Sequence, residues 1–440
     1  MSDAIDRFKL DTRNITRDTN HRAFLRSSLS GYKTVRKSIE EAFTDWQKAR
    51  QAAADIKWEA IEHLDGYLEE FVKNAEANGT VVHWAANAQE AREIMIGLIK
   101  ERGVESIVKS KCMTTEEINL NEALAELGLD VVESDLGEYI VQLNQEAPYH
   151  FVFPSMHLKK KEVSQLFHEK LGGTKSVDAE ELTMIARKVL RPKYLQAQMG
   201  ISGANFAVAE TGMISITENE GNARLTTSLP KTHVALMGIE KVIPKLADLA
   251  ILLPMLSTAG AGQWMTGYNS MISGPRKEGE SDGPEEFHLV LLDNHRTRLL
   301  ADPEQRDALR CIRCGACLNV CPIFNNIGGH SYGTTYQGPI GSVITPHLRG
   351  LQDWKHLSYS SSLCGACTET CPVKIDLHHH LLRNRRNAMQ QKPNKGEKMA
   401  FKGFAFLMTR PWLYAFAGKV ARIFAPMYKL VKGGALDPAR

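Results

Sequence analysis

Seven cysteines fall between Cys311 and Cys371, within 61 of the chain's 440 residues. They form two runs, Cys311-x2-Cys314-x2-Cys317-x3-Cys321-Pro322 and Cys364-x2-Cys367-x3-Cys371-Pro372. Spacings of two let consecutive thiolates wrap one face of an iron–sulfur cubane. The step of three sends the last cysteine away, and in two-cluster ferredoxins that cysteine serves the other cluster. The proline after it helps turn the chain and removes a backbone donor. Gly315 and Gly365 allow backbone amides close to sulfur, where they stabilise negative charge. The chemistry this predicts is electron transfer, one electron at a time.

The crossed rule gives Cys311, Cys314, Cys317 and Cys371 to one cluster, a complete thiolate set for [4Fe–4S]. Cys321, Cys364 and Cys367 are left for the second, which is one short. Ser361 stands where a full motif would have cysteine. The second cluster is therefore [3Fe–4S], or [4Fe–4S] with Ser361, water or substrate as its remaining ligand. Paired zinc sites are the competing assignment for C-x2-C elements, but the Pro-terminated runs fit iron–sulfur spacing better. Cys112, the eighth, reads as a small buried hydrophobe. Crowding of cysteines into one window fits metal binding in a reducing cytosol better than disulfides.

A scaffold must position these motifs. Residues 30–76 show helical spacing of apolar positions. An alternation follows: strand at 81–84, helix at 91–100, strand at 106–108, helix at 116–127, strand at 131–133. That order predicts a parallel sheet with helices on both faces. Further apolar strands are expected at 207–216, 234–237 and 288–292, with helices at 159–171 and 179–190 between the two groups. After a short helix at 302–310, no strand pattern appears from Cys311 onward. These features divide the chain into a helical segment (1–75), an α/β domain (76–300), an all-α ferredoxin-like domain (301–390) and a helical tail (391–440).

The α/β part has candidate site residues of its own. Glu210-Thr211-Gly212 interrupts an otherwise apolar strand, and a carboxylate there needs a partner or a function. Lys109 and Lys111 end a strand, where open α/β sheets form ligand crevices. Arg224, Lys231 and His233 could meet a carboxylate, with His233 taking a hydroxyl proton. Pairing of Glu210 with one of these cations and a satisfied core position for His233 is the plainer account. Ala259-Gly260-Ala261-Gly262-Gln263 reads as a flexible loop; it lacks G-x-G-x-x-G, so no dinucleotide site is expected.

Net charge is +3, but from Leu381 to Arg440 13 Lys/Arg face only Glu397 and Asp437. This tail interleaves Phe401, Phe404, Phe406, Trp412, Tyr414 and Phe416 with Lys402, Arg410 and Lys419. Contact with an anionic membrane surface or a partner subunit fits it, as does a solvated helical tail. His378, His379 and His380 read as an exposed run outside the ligand set. No stretch is long and apolar enough to span a bilayer, and residues 1–10 lack the features of a secretory signal. A cytoplasmic protein, peripheral at most to the inner membrane face, is expected. No nucleic-acid partner is.

The 42 residues between Cys321 and Cys364 exceed the spacing of a compact β-strand ferredoxin. They contain Gly328-Gly329-His330-Ser331-Tyr332-Gly333 and Gly338-Pro339-Ile340-Gly341, and the region resembles the helical ferredoxin modules of fumarate and heterodisulfide reductases. Residues 108–118 (VKSKCMTTEEI), 203–212 (GANFAVAETG), 311–317 (CIRCGAC) and 362–367 (SLCGAC) go further. With them the chain resembles the lactate-utilisation iron–sulfur proteins of bacterial L-lactate-oxidising systems. The resemblance implies an α/β domain related to sugar-phosphate isomerases and CoA transferases. It also implies two partner subunits and a part in converting L-lactate to pyruvate. Two other functions fit the residues: a stand-alone α/β small-molecule enzyme with structural clusters, and a membrane-surface quinone-linked electron-transfer module.

Overall fold

A computed structural model describes residues 3–393 and 395–428. The N-terminal part is four helices, Asp3–Arg17, Thr19–Ala42, Trp46–Glu62 and Leu64–Ala77. The single helix expected over 30–76 is thus broken twice. Phe43 is extended (φ −70°, ψ 141°), and the Asp45 carboxylate accepts Lys48 N, starting a new helix.

Ten strands follow among the described residues: β1 (Val81–Ala85), β2 (Ser106–Lys109), β3 (Asp130–Glu133), β4 (Met199–Ser202), β5 (Phe206–Val208), β6 (Met213–Glu218), β7 (Thr232–Gly238), β8 (Val242–Ile243), β9 (Tyr268–Ile272) and β10 (Glu286–Leu292). Six form a wholly parallel sheet in the order β1-β10-β7-β4-β2-β3. Its central strand β7 is buried along its whole length, as a strand covered on both faces must be. Side-chain alternation divides β7 between two cores. Val234 and Leu236 pack with Ala91, Met95 and Leu98 of the helix Ala88–Glu101. Ala235 and Met237 face Leu68 and Phe71 of Leu64–Ala77 and residues of a second sheet.

That second sheet, β8-β5-β6-β9, differs from the expectation. The strand expected over 207–216 is a hairpin of β5 and β6 with Glu210-Thr211-Gly212 in its turn. Gly212 takes φ +68°, and any Cβ there would strike the backbone of Ala75. Asn74 and Asn78 hold the turn by donating to the carbonyls of Ala209 and Thr211 at 2.8 Å. The two-residue β8 is too short to carry a period of its own.

Among the described residues no strand follows Leu292. Short helices carry the cysteine region, and a core that contains Cys311, Cys314, Cys317, Cys367 and Cys371 also contains Leu25, Leu29 and Ala53 of the N-terminal helices and Leu252 and Met255 of the helix Leu249–Ala261. Residues to Arg385 form one compact unit, and a second begins at Arg386. The second contains the helices Lys395–Met408 and Pro411–Tyr428, which expose Phe401, Phe404, Phe406, Trp412, Tyr414 and Phe416. No described helix is long and apolar enough to cross a membrane.

Candidate metal centre and adjoining cavity

The two cysteine runs are two copies of one turn. Arg313 and Leu363 both adopt left-handed backbone (φ +60° and +55°), as do Gly315 and Gly365 after them (φ +79° and +80°). Short helices follow, Ala316–Val320 and Ala366–Thr370, each ending on an extended cysteine, Cys321 or Cys371. The two helices pack together. Folding back in this way gathers the sulfurs into two cavities. Cys311, Cys314, Cys317 and Cys371 line one, with Ile340 and Phe151. Cys321, Cys364 and Cys367 line the other, with Ser361 and His378.

Backbone amides point at these sulfurs. Arg313 N donates to Cys311 Sγ and Ile375 N to Cys371 Sγ, each at 3.4 Å. The Ile340 amide, in the first turn of Gly338–Arg349, faces Cys317. Burial, then the neighbouring Cys371 and Cys311, push the Cys314 thiol up to about 12. Burial and neighbouring thiols likewise push Cys367 up to about 12. Thiols so placed ionise together only around concentrated positive charge, which is what iron supplies. The soft, crowded donor set and the amide shell fit an iron–sulfur cluster in each cavity.

The N-terminal helices brace the second run from outside. Arg50 donates Nε and Nη2 to the Cys371 carbonyl at 3.0 and 2.7 Å, and Arg36 donates Nη2 to the Thr370 carbonyl at 2.9 Å. Gly328-Gly329 lies against Tyr149, and a Cβ on Gly329 would overlap the Tyr149 carbonyl.

Most α/β candidates lie elsewhere. Glu210 is exposed in the hairpin turn, where its Oε2 accepts Leu246 N at 2.9 Å. His233 is fully buried in β7, bonded to Ser202 Oγ at 2.7 Å and stacked on Phe287. Arg224 is exposed, Lys231 is exposed near Glu285, and buried Lys109 is tied to Glu133 and Glu116 at 2.8 and 3.2 Å. The expected loop at 259–263 is instead a helix C-terminus, capped by left-handed Gly262. Its Gly260 lies against the Cys314 carbonyl. His378 bonds to Thr368, His379 pairs with Asp376, and His380 is buried against Asp307.

Of the charged and thiol side chains singled out in the α/β part, only Lys111 and Cys112 line a cavity of about 370 Å³ that adjoins the cysteine region. It opens beyond the carboxyl ends of β2 and β4, the position expected for a ligand crevice. Its walls also include Glu218, Glu220, Lys241, Arg313, Tyr336 and Cys314. Cys112 is buried there with its Sγ 3.6 Å from the Leu236 carbonyl, and burial raises its thiol pKa. Lys241 and Arg313 are new to the site. Lys241 follows β7, so the strand-end rule applied to that strand would have found it. Arg313 sits inside a metal motif, where sequence reading treats it as spacer.

The LUD domain family matches residues 68–292, and the 4Fe-4S dicluster domain family matches residues 307–375. Fold and site together define an α/β LUD domain joined to an iron–sulfur dicluster domain. Proteins called Lactate utilization protein B from Shouchella clausii, Bacillus velezensis and Bacillus subtilis are 45%, 44% and 44% identical to the chain. The alignments cover 94%, 90% and 90% of this chain and 88%, 85% and 84% of those proteins. The chain belongs to the lactate utilization protein B family. A crystal structure of a DUF162 family protein from Deinococcus radiodurans covers 52% of this chain and 98% of its own at 10% identity and a TM-score of 0.29, too low to support any argument.

Proposed function

We propose that this protein is the iron–sulfur electron-transfer subunit of a multi-subunit system that oxidises L-lactate to pyruvate. The observation that carries the reading is the convergence of seven cysteines on two neighbouring cavities in a member of the lactate utilization protein B family. Cys311, Cys314, Cys317 and Cys371 hold a [4Fe–4S] cluster. Cys321, Cys364 and Cys367 hold the second, either [3Fe–4S] or [4Fe–4S] with Ser361, water or substrate as the remaining ligand. Such clusters take up and release single electrons, so they can divide the electron pair that lactate oxidation delivers. The chain's own contribution is positional. Backbone amides face the sulfurs of each site, and Arg50 and Arg36 tie the second run to the N-terminal helices.

Family membership favours this reading over a stand-alone α/β enzyme with structural clusters. The test is reconstitution with the two partner subunits, following lactate-dependent reduction of an acceptor. A full assembly with complete iron and sulfide that transfers no electrons would sink it.

The exposed aromatic side chains between Lys395 and Tyr428 support one further element, contact with an anionic membrane surface. Anionic vesicles should retain the full chain and release a chain ending before Lys398; equal binding of both would remove this element.

A further inference from the structure

The cavity of about 370 Å³ and the four-cysteine cavity have a wall in common, because Cys314 lines both. Three cations reach only the larger one, and of these Lys111 is occupied by the Val152 carbonyl at 2.5 Å. Arg313 has a side chain 9% exposed and donates Nη2 to Glu240 Oε1 at 3.1 Å, while its Nε and Nη1 have no hydrogen-bond partner among the described residues. Lys241 is 8% exposed, and no described residue makes a hydrogen bond or an ion pair with its ammonium. The buried guanidinium donors left in this state cost free energy that a bound anion recovers.

The rest of the lining narrows the kind of anion. Glu218, Glu220 and Asp135 also face the cavity. Glu218 is occupied by the amides of Ala223 and Arg224, each at 2.8 Å. Glu220 accepts Leu136 N at 2.9 Å, and burial followed by Asp135 lifts its pKa to about 7. Three carboxyl groups in the walls disfavour a dianion. A monoanion that also carries a hydroxyl or carbonyl fits better, with its charged end at the cations and its polar end toward Glu220 or the Thr217 hydroxyl, which has no hydrogen-bond partner in the described structure.

We infer that this cavity binds a short 2-hydroxy or 2-oxo carboxylate, held by Arg313 and Lys241 beside the wall that contains Cys314. The choice of acid rests on the lactate reading above; the anion site itself does not. It places a ligand next to the fully thiolate-lined centre, so occupancy should register in that centre's spectrum.

The experiment uses holoprotein with complete iron and sulfide. L-lactate, pyruvate and inorganic phosphate are titrated separately by calorimetry, and the reduced cluster is followed by EPR. Lactate or pyruvate should bind saturably and alter the EPR spectrum, and phosphate should bind much more weakly. Lys241→Met should weaken binding at least about tenfold at unchanged iron content, the loss expected for one charge-assisted contact, and Lys241→Arg should restore most of it. No saturable binding, equal binding of phosphate, or binding that Lys241→Met leaves unchanged would each overturn the site. Failure here alongside lactate-dependent electron transfer in the full assembly would put the acid on another subunit and leave the electron-transfer reading standing.

Discussion

Ser361 is the structural counterpart of Cys311: Leu363 N donates to Ser361 Oγ at 3.1 Å just as Arg313 N donates to Cys311 Sγ at 3.4 Å. The backbone of the second run is therefore already shaped for a cysteine. Ser361→Cys should supply a fourth thiolate to the cavity of Cys321, Cys364 and Cys367. Brief air exposure followed by iron counting and EPR should show the variant keeping more iron than the wild type, with less three-iron signal. Equal iron loss in both proteins would mean that this position does not reach the cluster.

Arg296 should be among the costliest residues to remove. It is 1% exposed and holds Glu117 through Nη1 and Nη2 at 2.9 and 2.8 Å and Glu240 through Nε at 2.5 Å. Arg296→Met leaves buried Glu117 without its cation and Glu240 with Arg313 alone, a loss of about 3–5 kcal/mol on the scale of broken buried pairs. Chemical denaturation at neutral pH reads this directly, and a change under about 1 kcal/mol would show that water reaches the pair.

Buried His233 should make stability fall with acidification. Burial lowers its pKa to about 3, against about 6.5 in an unfolded chain. Between those values the unfolded state binds the extra proton, so stability is complete above about 6.5 and declines as pH drops toward 3, by about 1.4 kcal/mol per unit from this group. Other groups add slopes of their own. The quantity to compare is therefore the denaturation slope of wild type against His233→Gln between pH 7 and 5, where the variant should be flatter by about one proton.

Gly329 has ordinary negative φ (−79°), so steric contact alone decides its identity. Gly329→Ala forces Tyr149 and the Gly328-Gly329 turn apart, at about 1–3 kcal/mol. A lowered denaturation midpoint is expected, with iron content kept at low temperature. An unchanged midpoint would mean that the segment around Tyr149 yields easily.

What the sequence reveals of this protein depends on how local each signal is. The cysteines are legible because their spacing is itself the geometry. β7 and β10 are legible because strands covered on both faces read as apolar runs. The β5–β6 hairpin is not, since apolar residues flank its turn and the reason for the turn is the distant backbone of Ala75. Lys241 and Arg313 are 72 residues apart and meet only through Glu240 and the cavity, a relationship no periodicity encodes. Glu210 stands among apolar neighbours in the sequence, yet the hairpin turns it to solvent.

The cavity of Cys311, Cys314 and Cys317 is closed by Cys371, which enters 54 residues later and is anchored by Arg50 from near the N-terminus. During synthesis, then, three sulfurs leave the ribosome well before the fourth, and the brace that seats it is made first and used last. Iron delivered to a nascent chain would find an open, oxidisable trio. The assembly machinery of the cell should accordingly act on the chain after translation, and a ribosome stalled before Cys371 should carry a polypeptide without a stable first cluster.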